Sequence, residues 1–298
     1  MPVKSKQIVV LLRESCDPRP PARITADGFS VRDRGLRRIA NPADLCALEQ
    51  GLRLAGELHT SVTVVAIGEQ RQDELLRLGL AMGAQRAIRV WHSALANGDA
   101  VAQARLIERI ITILGSDFFL TGNCLLDLGD AREPALASAR LRMPCVNAAL
   151  SLSCVDGGLE VMRKCDRGAR QIVAVVAPCV LLFTADCCEP RYPQQQALQS
   201  ALNAEIETWS LAELGLPLNI LGLQGSKLGK DRCSFPRSNP KRVVTPDANL
   251  PAFDRILALL SGGIKPREGK LHQLSVEQTV DKLMDIFKEE GLIGGESK

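Results

Sequence analysis

The stretch Leu75-Leu76-Arg77-Leu78-Gly79-Leu80-Ala81-Met82-Gly83-Ala84-Gln85-Arg86-Ala87-Ile88 reads as a helix handed directly to a strand. Leu75, Leu76, Leu80 and Met82 form an apolar helix face. Gly83 stands where the chain leaves the helix through a left-handed conformation, and Arg86 to Val90 resumes as a strand.

Working outward, the same alternation recurs. Ile8 to Leu12 is a continuous apolar run, as expected of a strand buried on both faces of a parallel sheet. After a polar excursion, Asn41 stands as a helix N-cap, Pro42 fits the first turn, and Asp44 favours the positive helix end. Leu45, Leu48, Leu52 and Ala55 then share one helix face. Val62 to Ile67 is a second buried strand closed by Gly68, residues 101 to 114 form a further helix, and Phe118 to Thr121 the next strand. The pattern predicts an α/β fold, a Rossmann-like, doubly wound and mostly parallel sheet. The runs Leu159 to Cys165, Gln171 to Val176 and Cys179 to Thr184 lie close together without helices between them, which predicts antiparallel strands at one edge.

Beyond Tyr192 the pattern changes, so the expected domains are residues 1–192 for the Rossmann-like sheet and 193–298 for a C-terminal arm and helix. Gln194 to Ala204 has helical character, while Gly215 to Asn249 reads as a loop or arm rich in Gly, Pro, Lys and Arg. Its segment from Lys227 to Arg242 sets six cations against Asp231 alone, either an electrostatic dock or a solvated loop. The last helix is better defined. Ser275 and Gln278 have capping-box spacing, Val276, Val280, Leu283, Met284 and Phe287 share a face, and Gly291 follows as the stop. That face packs on its own domain or on a partner subunit.

Composition excludes several classes. The 298 residues carry 37 basic and 34 acidic side chains, too even a balance to imply a nucleic-acid partner. Seven Phe, two Trp and one Tyr supply few stacking platforms for bases. No apolar run approaches a membrane span, and the N-terminal run meets Arg13 and Glu14 too soon for a secretory signal. A cytoplasmic protein without membrane insertion is expected, its ten cysteines reduced. No CxxC pair occurs among them and the three histidines stand apart, so no metal site is expected. Cys187-Cys188 reads as packing at a strand end, the vicinal disulfide being a strained alternative. There is no P-loop, nucleophile elbow or GxGxxG, which favours a carrier over bond-making chemistry.

Three motifs in order and at comparable spacing, Asn41-Pro42-Ala43-Asp44, Leu76 to Ile88 and Glu189-Pro190-Arg191-Tyr192, resemble the NPxD, LRxxLAMGA and EPRY segments of electron transfer flavoprotein beta subunits. The resemblance covers most of residues 7 to 192 and continues more faintly to the C-terminus. It implies an adenine nucleotide hydrolase-like fold and an electron carrier subunit that pairs with an alpha subunit holding most of a shared FAD. Electrons then pass between a dehydrogenase, another oxidoreductase or NADH and a downstream acceptor. It also implies AMP, or in electron-bifurcating members a second FAD, in the beta subunit. Carried over by matching residues, that site comprises Leu11, Asn41, Pro42, Ala43, Asp44 and Ile67. The loop Asn123, Cys124, Leu125, Leu126, Asp127, Leu128, Gly129, Asp130, Ala131, Arg132, Glu133 and Pro134 completes it. The resemblance assigns the C-terminal helix to the alpha subunit.

The chain departs from the family in that loop, where NQTG or AQVG has become Ala131-Arg132-Glu133-Pro134. Pro134 donates no amide, and Asp127, Asp130 and Glu133 oppose a phosphate with only Arg132 in its favour. Either Pro134 starts the next helix and leaves the amides before it available while Arg132 pairs with phosphate, or the site is altered. The lysine-rich segment that follows EPRY in partners of acyl-CoA dehydrogenases is replaced by Pro193 to Glu207, which contains no lysine. Leu216 to Gly222 and then Gly225-Ser226 resemble the IPLDIIG and GS segment of bifurcating members, which implies FAD. The alternative function is a non-redox adenine-nucleotide-binding or scaffold protein of the same fold.

Overall fold

The computed structural model describes residues 6–20, 23–25, 31–32, 36–155, 157–229, 246–260 and 273–289. The first half comprises β1 (Ile8–Leu12), β2 (Glu14–Cys16), β3 (Arg23–Ile24), β4 (Val31–Arg32), β5 (Arg38–Ala40), α1 (Pro42–Leu58), β6 (Val62–Ile67), α2 (Gln72–Met82), β7 (Arg86–Val90), α3 (Ala100–Leu114), β8 (Phe118–Gly122) and α4 (Arg132–Leu141). There follow β9 (Cys145–Val155), β10 (Gly158–Lys164), β11 (Arg170–Val175), β12 (Cys179–Phe183), α5 (Gln195–Leu202), β13 (Glu207–Trp209), α6 (Leu211–Leu214), α7 (Gly222–Gly225), α8 (Ala252–Leu260) and α9 (Val276–Glu289).

Nine strands form one sheet in the order β11-β10-β9-β12-β8-β1-β6-β7-β13. The strands from β9 through to β13 in that order pair in parallel, while β10 is antiparallel to both β9 and β11. Strand β1 shows why the sheet is covered on both faces. Its residues alternate between two cores: Ile8, Val10 and Leu12 pack with Leu48 and Leu54 of α1 and Leu76 of α2, whereas Val9 and Leu11 pack with Ile107 and Ile110 of α3 and Ala137 of α4. Helix α2 ends as expected at Gly83, whose φ of 121° is open to glycine.

One expectation needs correction. Cys179 to Thr184 was expected at an antiparallel edge, yet β12 lies inside the sheet, parallel to β8 and β9, with all five residues buried. An unbroken Cys-Val-Leu-Leu-Phe run is the signature of a strand covered on both sides, and the edge belongs to β10 and β11. The chain divides into compact units of residues 1–234 and 235–298. Strand β13 extends the sheet beside β7, and Arg77 of α2 donates to the carbonyl of Ala201 at 2.8 Å. The second unit contains α8 and α9. In α9 the expected capping box is formed, Gln278 N donating to Ser275 Oγ at 3.3 Å and Ser275 N to Gln278 Oε1 at 3.2 Å. Gly291 and the basic run from Lys230 onward lie outside the described residues.

Candidate functional site

Strand order reverses between β1 and β8, because the chain proceeds from β1 to β6 and β7 on one side and then crosses to β8 on the other. The crevice outside the carboxyl ends of the strands at such a point is where open α/β sheets bind ligands. Here its floor is a knot of charge. Arg13, the residue after β1, donates from Nη2 to Asp44 Oδ1 at 2.7 Å, from Nε to Oδ2 at 3.0 Å, and from Nη2 to the Gly122 carbonyl at 2.8 Å. Asp44 also accepts from the amides of Arg13 at 3.0 Å and Gly122 at 2.5 Å and from Thr121 Oγ1 at 3.0 Å. One buried carboxylate thus ties together the ends of β1 and β8 and the first turn of α1. Burial opposes the Arg13 charge, but Asp44 and, less strongly, Glu133 hold its pKa above the ordinary value. Gly122 is required by the closeness of this knot, since a Cβ there would lie 2.5 Å from Ala43 Cβ and 2.6 Å from Asp44 Oδ1.

The loop from Asn123 to Ala131 is pinned beside it. Asn41 caps no helix amide with its side chain. Instead its Nδ2 donates to the Cys124 carbonyl at 2.9 Å, and its Oδ1 accepts from Ser15 Oγ and Leu126 N, each at 3.3 Å. Asp127 Oδ2 accepts from Cys16 N at 2.9 Å.

Above this floor opens a cavity of 330 Å³. Leu11, Ile67, Trp91, Leu95 and Leu125 supply apolar wall; Arg13, Arg38 and Arg71 face it together with Glu14, Glu133, Gln72 and Gln103. Arg13 Nη1 and Glu133 Oε2 are buried, 4.0 Å apart, and without hydrogen-bond partners. A second, shallower cavity of 440 Å³ on the other side of the loop is lined by Asn123, Asp130, Ala131, Arg132, Ala135, Leu136, Asn147 and Leu182, and there Asn123 Oδ1 is likewise buried and unpartnered. The far wall of the first cavity is buttressed by the chain around Gly222, where φ is 50° and a Cβ would fall 2.1 Å from the Ala94 carbonyl oxygen.

Helix N-termini attract anions, and four of them lie near the carboxyl ends of the strands. In α3 the place is taken by Asp99, whose Oδ1 accepts from the amides of Val101 at 3.0 Å and Ala102 at 2.9 Å. Asp44 lies in the first turn of α1, and Asp73 and Glu74 in that of α2. Helix α4 starts at Arg132 with no side-chain cap, although Glu133 lies in its first turn. Pro134, in the same turn, has no amide to lose, so the geometry is the one in which Pro134 belongs to the beginning of the helix. Arg132 is not free: its Nη2 lies 2.5 Å from Asp130 Oδ2, with both side chains exposed.

Residues 29–214 match the electron transfer flavoprotein domain. The chain belongs to the electron transfer flavoprotein family. Among its relatives, the electron transfer flavoprotein subunit beta of Methylophilus methylotrophus is 29% identical over 80% of this chain and 92% of its own length. That of Thermoanaerobacterium thermosaccharolyticum is 26% identical over 87% and 93%, and that of Clostridium acetobutylicum 28% identical over 74% and 84%.

For this member of the electron transfer flavoprotein family, the structure sorts the residues expected from sequence into three groups. Leu11, Ile67, Leu125 and Glu133 line the first cavity. Asn123, Asp130, Ala131 and Arg132 line the second. Asn41, Pro42, Ala43, Asp44, Cys124, Leu126, Asp127, Leu128, Gly129 and Pro134 line neither, Asn41 and Asp44 serving as the internal scaffold of the loops. Arg13, Arg71, Gln72 and Gln103 also line the first cavity and are not among the residues expected from sequence, while Trp91, an isolated aromatic that sequence leaves between flavin contact and packing, lies in its wall. Arg13 carried a usable signal, a lone cation at the carboxyl end of the first buried strand. The others follow only from how β6, β7 and α3 abut. Unpartnered Arg13 Nη1, an aromatic wall and three arginines against two glutamates fit an anionic nucleotide, within the roughly 300–1,000 Å³ usual for small-molecule sites. Among the described residues no helix is long and apolar enough to cross a membrane.

Proposed function

We propose that the chain is the beta subunit of a heterodimeric electron transfer flavoprotein and holds one adenine nucleotide in the cleft above Arg13. The observation that carries this reading is the buried Arg13 Nη1, without a hydrogen-bond partner and only 4.0 Å from Glu133, lining a cavity at the switch point of a family member's sheet. Trp91 and the leucines supply apolar wall for the base and Arg13 and Arg71 supply charge, while Arg132 and the uncapped start of α4, which face the second cavity, are met only by a phosphate that extends past the loop. A flavin, when bound, supplies the electron chemistry, while the protein sets position, potential and docking. The 330 Å³ volume favours an occupant of AMP size, whereas the likeness of Leu216 to Gly222 to bifurcating members favours FAD. The donor and acceptor proposed are a dehydrogenase or NADH and a quinone- or ferredoxin-linked protein, in the cytoplasm.

The test is co-expression with a flavoprotein alpha subunit, followed by counting flavin and AMP per heterodimer after denaturation. One FAD with AMP indicates a simple carrier, and two FAD indicate a bifurcating one. One FAD alone would mean that the beta site is altered. A heterodimer without flavin, or a stable monomer that binds ATP or nothing, would sink the carrier and leave the nucleotide-binding or scaffold reading.

A further inference from the structure

Cys46 of α1 meets the adjacent pair Cys187-Cys188 in the loop following β12. The sulfur atoms of Cys46, Cys187 and Cys188 all lie within 4.8 Å of one another. Those of Cys187 and Cys188 are 3.7 Å apart, although consecutive residues of an extended chain point to opposite sides. The turn after Thr184, where Cys187 N donates to the Thr184 carbonyl at 3.3 Å, folds both thiols toward α1. Cys46 occupies the second turn of that helix and is buried; its two partners are half-buried. With all three protonated, the contacts are those of weak S–H donors. Cys46 Sγ reaches the carbonyls of Cys188 at 3.2 Å and Ala185 at 3.4 Å, and Cys188 Sγ that of Cys46 at 3.7 Å.

We propose that Cys46, Cys187 and Cys188 form a three-thiolate site for one soft d10 metal ion, and that monovalent copper is the ion it suits. Thiolate bonds of about 2.3 Å to a central ion in the sulfur plane place the sulfurs about 4 Å apart, close to the spacing already present. Among the described residues no fourth His, Cys, Asp or Glu joins the group. A tetrahedral zinc site is therefore one ligand short, whereas soft thiolates select monovalent copper without needing a fourth donor. Binding exchanges three S–H bonds for three S–metal bonds and releases three protons to water, with no change in oxidation state. The negative charge left behind lies near Arg53, which is paired with Glu49 three residues along α1 from Cys46, and also near the carboxylate of Asp186. An ion here fastens α1 to the segment that runs into Glu189-Pro190-Arg191-Tyr192.

The experiment uses the full chain, reduced and metal-free, titrated anaerobically with monovalent copper against a chromophoric copper(I) chelator, with a parallel zinc titration. The expected result is one tightly held copper per chain, an ultraviolet sulfur-to-metal charge-transfer band, and an X-ray absorption shell of three sulfurs at about 2.3 Å. Cys46→Ser and, separately, the Cys187→Ser/Cys188→Ser pair should weaken that equivalent at least tenfold, while exposed Cys154→Ser leaves it unchanged. Far-ultraviolet circular dichroism confirms folding of each variant; the loop pair preserves the test if the helix variant misfolds. No such equivalent, equal copper binding by both cluster variants, or zinc retained in preference with a fourth light-atom donor would each overturn the proposal.

Discussion

The guanidinium of Arg13 and the carboxylate of Asp44 meet in a two-pronged pair, at 2.7 and 3.0 Å, across 31 residues of chain. Asp44 is 1% exposed, so the pair acts with little screening by water. Removing one partner strands the other, which for buried pairs costs about 3–5 kcal/mol. Asp44→Asn should therefore lower the unfolding free energy by about 3 kcal/mol in urea titrations. It should also weaken nucleotide retention, since Arg13 loses its anchor. A loss under 1 kcal/mol would show that Asp44 does not organise the crevice.

Gly122 and Gly56 should respond in opposite directions to the same substitution. A methyl at Gly122 meets Ala43 Cβ at 2.5 Å, and overpacking of this kind costs about 1–3 kcal/mol. Nothing lies within 4 Å of a methyl at Gly56, an exposed position inside α1. Gly56→Ala should raise stability by about 0.4–1 kcal/mol through the entropy of the unfolded chain. Thermal melts of the two variants side by side give the signs directly, and a neutral Gly122→Ala would contradict the tight approach of α1 to β8.

Glu49 makes stability depend on acid. Burial raises its pKa, but hydrogen bonds from Arg191 and Arg53 outweigh that and hold the carboxyl below its ordinary value of 4.5. A group whose pKa is lower folded than unfolded contributes stability that is complete above the unfolded value and disappears as pH falls through the folded one. The contribution should be present at neutral pH and vanish below 4.5. Glu49→Gln should lower stability at neutral pH and flatten the acid limb of the stability curve. An unchanged limb would mean that Arg191 does not hold the ionised form.

The sheet was legible in the sequence because burial on both faces leaves unbroken apolar runs. Ile8 to Leu12, Val62 to Ile67 and Phe118 to Thr121 were found for that reason. Strand β9 was missed because Asn147, Ser151 and Ser153 break its pattern, and β12 was misplaced because a short apolar run carries no information about its neighbours. At the site, the motifs point to loops without separating the residues that line a cavity from those that brace the loop. Asp44 and Asn41 brace the loops through their own hydrogen bonds, a role that sequence does not reveal. Cys46 and Cys188 are 142 residues apart, a distance no spacing rule spans.

Asp130 and Arg132 offer a test of the phosphate end. Their ion pair is exposed on both sides, and such pairs contribute about 0–1 kcal/mol, so an incoming phosphate recruits Arg132 cheaply. Asp130→Asn removes the competitor and one like charge near the open end of α4. AMP affinity measured by calorimetry should rise a few-fold, and Arg132→Ala should lower it by a similar factor. Identical affinities in both variants would place the phosphate elsewhere.

Helix α9 gives the clearest prediction about assembly. Its apolar residues are open to solvent, Val280 at 52% and Leu283 at 46%, on a helix of 14 residues. Isolated helices of this length are marginal in water, and most helical stability comes from packing an apolar face. Coverage by the alpha subunit supplies that packing under the proposed function. Val280→Asp with Leu283→Asp should reduce co-purification of the alpha subunit at least tenfold. The melting temperature of the sheet unit should stay the same, because these residues belong to the other compact unit. Amide exchange supplies the complementary readout: α9 should exchange quickly in the isolated chain and slowly in the heterodimer. Slow exchange in both would mean that the face is already covered within the chain and that the alpha subunit docks elsewhere.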